Sequence, residues 1–131
     1  MTDVAINGAL GERFLLDTGV SGPVLIFDYF RRRHAGALVG LGGGANRNRN
    51  FLSVGGAFNT KPSVSADSVR MGGVRFKDFL AFVVGTKTAY GIDEDGLLGT
   101  EFLQLFNVYL DYGNSRIYLE PNALGRAASG P

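Results

Sequence analysis

Asp17, Thr18 and Gly19 are the residues in this sequence whose types and order could do chemistry. They follow directly on Phe14-Leu15-Leu16, so an apolar run ends in one carboxylate, a hydroxyl and a glycine. The run reads as a strand buried on both faces, where a charge is costly unless it has partners or a task. The task open to it is proton transfer: an ionised carboxylate can take a proton from water, and a neutral one can give a proton to a carbonyl oxygen. Asp and Gly also belong in ordinary turns, and on these three residues alone a turn aspartate is an equal reading. A second feature tips the balance. Gly96-Leu97-Leu98-Gly99 sets an apolar pair between glycines, which let another backbone approach closely.

Other chemistry has little to work with. His34 is the only histidine and there is no cysteine, so a histidine metal site, a Ser-His hydrolase, a thiol nucleophile and a disulfide all lack their parts. Asp93, Glu94 and Asp95 read as acids solvating a loop, with Asp95 shaping the turn before Gly96; no metal site is expected. Asp111 reads as a hydrogen-bonding residue of a hairpin. The stretch Gly40 to Ala45 fits a dinucleotide-binding pattern in form, yet the residues after it lack the apolar spacing of the helix such a site needs.

With 13 Lys and Arg against 12 Asp and Glu, no global field favours nucleic acid or an acidic membrane. No apolar run approaches the ~20 residues that span a bilayer, and no signal-like segment precedes the first strand. The compartment stays open: cytoplasmic if the chain is whole, periplasmic or secreted if it is cut from a longer precursor.

The elements that must position Asp17 are short. The 20 glycines are spread along the chain and divide it into segments that suit strands. Val4–Ile6 and Arg13–Leu16 read as a hairpin around Asn7-Gly8, which tolerates positive φ. Phe27–His34 reads as a short helix closed by Gly36, with Tyr29 and Phe30 toward the core and Arg31–Arg33 toward water. Val64–Met71 and Val74–Phe76 flank Gly72-Gly73 as a second hairpin, and Leu80–Val84 is a buried strand. Thr100 is expected to cap a helix through Phe106 that buries Phe102, Leu103 and Phe106. Val108–Tyr112 and Arg116–Leu119 read as a last hairpin around Gly113-Asn114. One lobe over residues 1–121 results, and residues 122–131, rich in Ala, Gly and Ser, read as a flexible tail or linker.

Taken together, LLDTGVS at Leu15–Ser21, DGLLGTEFL at Asp95–Leu103 and VYLDYGNSRIYL at Val108–Leu119 resemble a bacterial retropepsin-type aspartic protease domain. The resemblance spans nearly the whole chain. It implies a mostly β, closed barrel-like lobe with a short helix after the Asp-Thr-Gly strand and one near the C-terminal end. It also implies peptide hydrolysis by two carboxylates sharing one proton, with Asp17 as one of them. Since the chain has one Asp-Thr-Gly, the other acid would come from a homodimer or from a second lobe of the same kind.

By the same resemblance, Thr18 would reach the other lobe's backbone, Gly19 would present its N–H to the carboxylate, and Ser21 would bond the acid. Val20 stands where Ala is more usual. Leu97, Leu98 and Gly99 would pack behind the loop. A flap should close over an extended peptide or protein substrate, and Val54, Gly55 and Gly56 are the first choice for its tip, with Gly42 and Gly43 as the alternative. Leu41, Val54, Phe58 and Leu97 are expected to make the cleft apolar. No cofactor is expected, since water is the nucleophile. Two rival readings remain in view: one lobe of a tandem protease, or a non-catalytic module that dimerises or binds peptides.

Overall fold

In the computed structural model, which describes residues 2–41, 49–53, 56–60, 63–84 and 94–129, Asn7 and Gly8 make the first corner of the chain with φ of 51° and 84°. Such left-handed values suit Asn and Gly and close a tight hairpin. It joins β1 (Thr2–Ile6) to β2 (Ala9–Leu16), antiparallel, with Ile6 opposite Ala9. Asn7 also fastens the corner to the rest of the fold: its Nδ2 donates to the carbonyls of Ala37 and Ser65, and its Oδ1 accepts from Ser68 N–H.

β2 carries a bulge. Val4 opposes Gly11 but Thr2 opposes Phe14, so three steps on β2 face two on β1. The alternation of buried and exposed residues breaks there: Glu12 and Arg13 are both exposed, and Phe14 returns to the core. A bulge resets the phase of everything after it, and what comes after it is Asp17. The strand is less enclosed than its apolar run suggests. Phe14 is buried, whereas Leu15 and Leu16 are only half-buried.

The later strands are β3 (Val24–Phe27), β4 (Arg49–Ser53), β5 (Gly56–Thr60), β6 (Ser63–Ala66), β7 (Val69–Met71), β8 (Val74–Phe76), β9 (Phe79–Val84), β10 (Gly96–Leu98), β11 (Phe106–Asp111) and β12 (Arg116–Pro121). Eight of them make one sheet in the order β6-β9-β3-β10-β2-β1-β7-β8, curled into a half-barrel. Its β10–β2 and β3–β9 pairs are parallel. β4–β5 and β11–β12 each form a separate antiparallel pair. The helices are α1 (Asp28–Arg33), α2 (Thr100–Leu103) and α3 (Ala123–Ser129). This is the mostly β lobe expected from the sequence, with a short helix after the Asp-Thr-Gly strand and another toward the C-terminus.

Aromatic rings fill the core. Phe14 meets Phe30 of α1 edge to face at 5.7 Å, and Phe76 stacks edge-on against both Phe102 and Phe106 at 5.4 Å. Such T-shaped pairs add about 1 kcal/mol each beyond the area they bury. α1 places Phe30 in this core and turns Arg32 and Arg33 to the surface, where Arg32 pairs with Asp28 at 3.0 Å, one helical turn back.

Several boundaries differ from the sequence reading. β3 is a strand that the reading did not assign, and Phe27 ends it instead of opening the helix. Val64–Met71 splits into β6 and β7, because Ser63–Ala66 pairs with β9 while Val69–Met71 pairs with β1 and β8. Gly99, not Thr100, stands at the N-cap of α2, which ends at Leu103, and Phe106 starts β11. Burial of Phe102, Leu103 and Phe106 is met all the same.

The stretch read as a tail contains α3. Asn122 caps it by accepting Gly125 N–H at Oδ1 (3.1 Å), while its own N–H donates to Leu105 O (2.9 Å) and its Nδ2 to Gln104 O (2.8 Å). Gly125 is buried, and any side chain there would overlap the Leu105 carbonyl. Composition favoured a loose end; one capping Asn and one close-packed Gly dock it instead.

Candidate active site

β10 lies between β2 and β3 at the centre of the sheet, and its three residues frame the Asp17 loop from below. Gly96, Leu97 and Leu98 pair in parallel with Phe14, Leu15 and Leu16, and antiparallel with Ile26, Leu25 and Val24. Only a glycine fits at position 96, since a Cβ would overlap the Leu25 carbonyl and the Phe14 ring. Leu97 and Leu98 point to opposite faces of the sheet and both are 0% exposed. Leu97 packs with Val20, Leu25, Phe27, Phe82 and Val84, and Leu98 joins the larger cluster around Phe14, Phe76 and Phe102. A side chain so enclosed lines no open cleft, so the expectation of Leu97 as a cleft residue is corrected; its place is behind the loop.

The loop itself is stitched down at each turn. Asp17 N–H donates to Leu98 O (3.0 Å), Gly99 N–H to Pro23 O (3.0 Å) and Thr100 N–H to Val20 O (2.8 Å). Within it, Gly19 N–H donates to Asp17 Oδ1 (2.8 Å), and Val20 N–H donates to Asp17 O (3.3 Å). A Cβ on Gly99 would lie 2.8 Å from Val20 O and still closer to Gly22 O, so β10 can run under the loop only with glycine there. Asp17, Gly19 and Ser21 are half-buried, Thr18 is exposed and Val20 is buried. The Asp17 carboxylate is thus held by a backbone donor at the open end of a strand, positioned but reachable.

Of the two flap candidates, Val54 and Gly55 lie outside the described residues, as do Gly42 and Gly43. Gly56 opens β5 and pairs with Ser53 at the end of β4.

At the far end of the same strands sits a residue that the sequence reading placed in a solvated loop. Asp95 is only 5% exposed. Its Oδ2 accepts Arg13 N–H (3.2 Å), its Oδ1 accepts the Tyr29 hydroxyl (2.9 Å), and Arg33 Nη2 lies 3.9 Å from Oδ1. Its own N–H donates to Arg13 O (2.9 Å), and its carbonyl accepts Phe27 N–H (3.0 Å). The Tyr29 hydroxyl also bonds the Glu94 carbonyl. Burial, and then the bond to the Asp95 carboxylate and its charge, push the Tyr29 pKa up to about 12, against a smaller opposing pull from Arg33. The available sequence signal was an acid immediately before a strand that is buried on both faces.

Beside the loop, the β11–β12 hairpin has an apolar face. Cross-strand pairing aligns Phe106, Val108 and Leu110 with Pro121, Leu119 and Ile117. Phe106 is buried, but toward the hairpin tip the cover ends: Val108 is 44% exposed, Ile117 50% and Leu110 56%. Asp111 fixes the tip by accepting Asn114 N–H (3.2 Å) and Asn114 Nδ2 (2.8 Å), the hairpin role read from the sequence. Ile117 and Leu119, with Thr2, Leu15, Leu16 and Ser115, line a concavity of about 290 Å³ that joins this face to the strand carrying Asp17.

Residues 2–102 match the sequence pattern of the aspartyl protease family. The chain belongs to the aspartyl protease family. Two solved structures resemble this family member in fold. One is a retropepsin-like aspartic protease from Rickettsia conorii, 21% identical, with a TM-score of 0.56 over 89% of this chain and 78% of that one. The other is the retroviral protease-like domain of Ddi1 from Leishmania major, 13% identical, with a TM-score of 0.56 over 91% of this chain and 84% of that one. No curated protein sequence matches the chain. For this aspartyl protease family member, the matched region takes in the Asp17 loop, β10 and most of α2, the parts that the hydrogen bonds above tie together.

Proposed function

We propose that the protein is an aspartic endopeptidase completed by a second copy of itself, with Asp17 of each copy forming the dyad. The observation that carries this reading is the Asp17 carboxylate, bound through Oδ1 by Gly19 N–H at the half-exposed end of a strand whose other contacts are satisfied. Family membership supports the reaction type. Two carboxylates side by side cannot both ionise, so the pair holds one proton. The ionised Asp17 takes a proton from a water, the water oxygen attacks the peptide carbonyl, and the neutral Asp17 of the second copy donates to the carbonyl oxygen. Collapse of the tetrahedral intermediate then returns a proton to the leaving amine. Water and the two acids suffice for this chemistry.

The hairpin supports the second copy as partner. Its apolar face is open on one side, continuous with Leu15 and Leu16, and a two-fold interface there would bring two Asp17 loops together. Exposed Thr18 fits a role across that axis. The antiparallel β4–β5 pair is the flap in this reading, closing over an extended peptide.

The test combines sedimentation of the purified chain across concentration with cleavage of an unstructured peptide library, with and without a transition-state-mimicking inhibitor. A dimer with inhibitor-sensitive cleavage is expected, and Asp17→Asn should lower turnover about a thousandfold while leaving the fold intact. Inactive dimers would make the lobe a binding module, and inactive monomers would mean that the second carboxylate lies in a missing lobe or nowhere at all.

A further inference from the structure

We infer that Asp95 is a positioning residue for the Asp17 loop, acting through the β2 bulge, an inference whose catalytic part rests on the function proposed above. The bulge at Glu12 and Arg13 sets the phase in which Phe14, Leu15 and Leu16 leave it, and a one-residue error of phase would turn Asp17 to the other face of the sheet. Asp95 holds the bulge from the side. Its carboxylate accepts Arg13 N–H and its N–H donates to Arg13 O, so the bulged residue is gripped through both of its backbone groups.

The grip itself is fixed by its surroundings. Tyr29 of α1 donates to the other carboxylate oxygen, and Phe27 N–H at the end of β3 donates to the Asp95 carbonyl. One buried acid therefore ties α1, β2 and β3 to the start of β10. From there β10 runs three residues to Leu98, whose carbonyl accepts Asp17 N–H. Arg13 lies four residues before Asp17, ~13 Å along an extended strand. Asp95 touches no reacting atom at that distance; it sets where the strand end arrives.

Three variants separate this role from general stability. Asp95→Ala removes both side-chain acceptors. Asp95→Asn keeps one acceptor and turns a donor toward a partner donor. Tyr29→Phe keeps the grip on Arg13 and removes only its support. Amide hydrogen exchange is read for Asp17, Gly99 and Thr100 against the β7–β8 hairpin. The inference expects exchange of the three loop-frame amides to rise about tenfold or more in both Asp95 variants, and less in Tyr29→Phe, with the distant hairpin unchanged. A uniform rise at all sites would reduce Asp95 to a stabilising residue and overturn the inference, as would no change at Asp17.

Kinetics supply the second arm. In an active wild type, kcat should fall about tenfold or more in Asp95→Asn while KM moves little, because misplacing a reacting group costs turnover more than binding. Unchanged kcat would refute the catalytic consequence. If the wild type shows no cleavage, the endopeptidase reading fails, and the exchange measurement still decides whether Asp95 positions the loop.

Discussion

β10 and the β11–β12 hairpin are both short apolar stretches close to Asp17, yet the chain treats them in opposite ways. β10 has a strand on either side and is fully buried, and its carbonyl and glycine ends hold the loop in place. Among the described residues the hairpin strands pair only with each other, and their shared apolar face runs from buried Phe106 out to exposed Leu110 and Ile117. A lone two-stranded ribbon is marginally stable in water, and uncovered apolar area of this kind marks where something else belongs. One chain thus completes the underside of its own site and leaves the flank open. In the function proposed above, what it builds alone is the placement of one acid, and the open flank is where a second copy would bring the other.

The comparison can be broken first at β10. Gly99→Ala would drive a methyl group into the carbonyls of Gly22 and Val20, backbone that cannot swing aside, and should cost about 3 kcal/mol in denaturant unfolding. Gly73→Ala is its control. That glycine has open space around it and ordinary φ, so its midpoint should move by no more than about 0.5 kcal/mol.

At the hairpin, the paired change Leu110→Asp and Ile117→Asp should leave the folded monomer intact and weaken self-association about thirtyfold, ~2 kcal/mol, as read by sedimentation. Lost folding with unchanged association would invert the assignment of the two regions. The smallest effect is alkaline. Tyr29 keeps its proton in the folded chain to a higher pH than in the unfolded one, so its contribution is whole below pH 10 and is lost as pH rises toward about 12. Unfolding midpoints followed through that window should fall in the wild type more than in Tyr29→Phe.

Much of the frame was legible because its signals are local. Asn7-Gly8 gives its own turn, Asp111 closes its own hairpin, and the apolar run at residues 80–84 is a strand buried from Ala81 to Val84. The two motifs of the candidate site, Asp17-Thr18-Gly19 and Gly96-Leu97-Leu98-Gly99, were readable for a similar reason, since each is compact, and the structure brings them side by side. What was hidden depends on distant partners. Nothing around Val24 says that it will lie between β9 and β10, and nothing around Asp95 says that Arg13 waits to be held. The helix at residues 123–129 was obscured differently, because Ala and Gly suit a loose end as well as a close-packed helix, and the deciding carbonyl belongs to Leu105.

The bond from Arg13 to Asp95 spans 82 positions along the chain. Closing so long a loop costs entropy that nearby turns do not incur, so the β1–β2 and β7–β8 hairpins can form before β10 takes its place. Pulse-labelled refolding would show this as late protection of Asp17 N–H relative to β7–β8; simultaneous protection would contradict it. The same separation matters during synthesis. A growing chain carries Asp17 well before it holds the strand that aims it, so the acid stays unaimed while all the residues between them are being made.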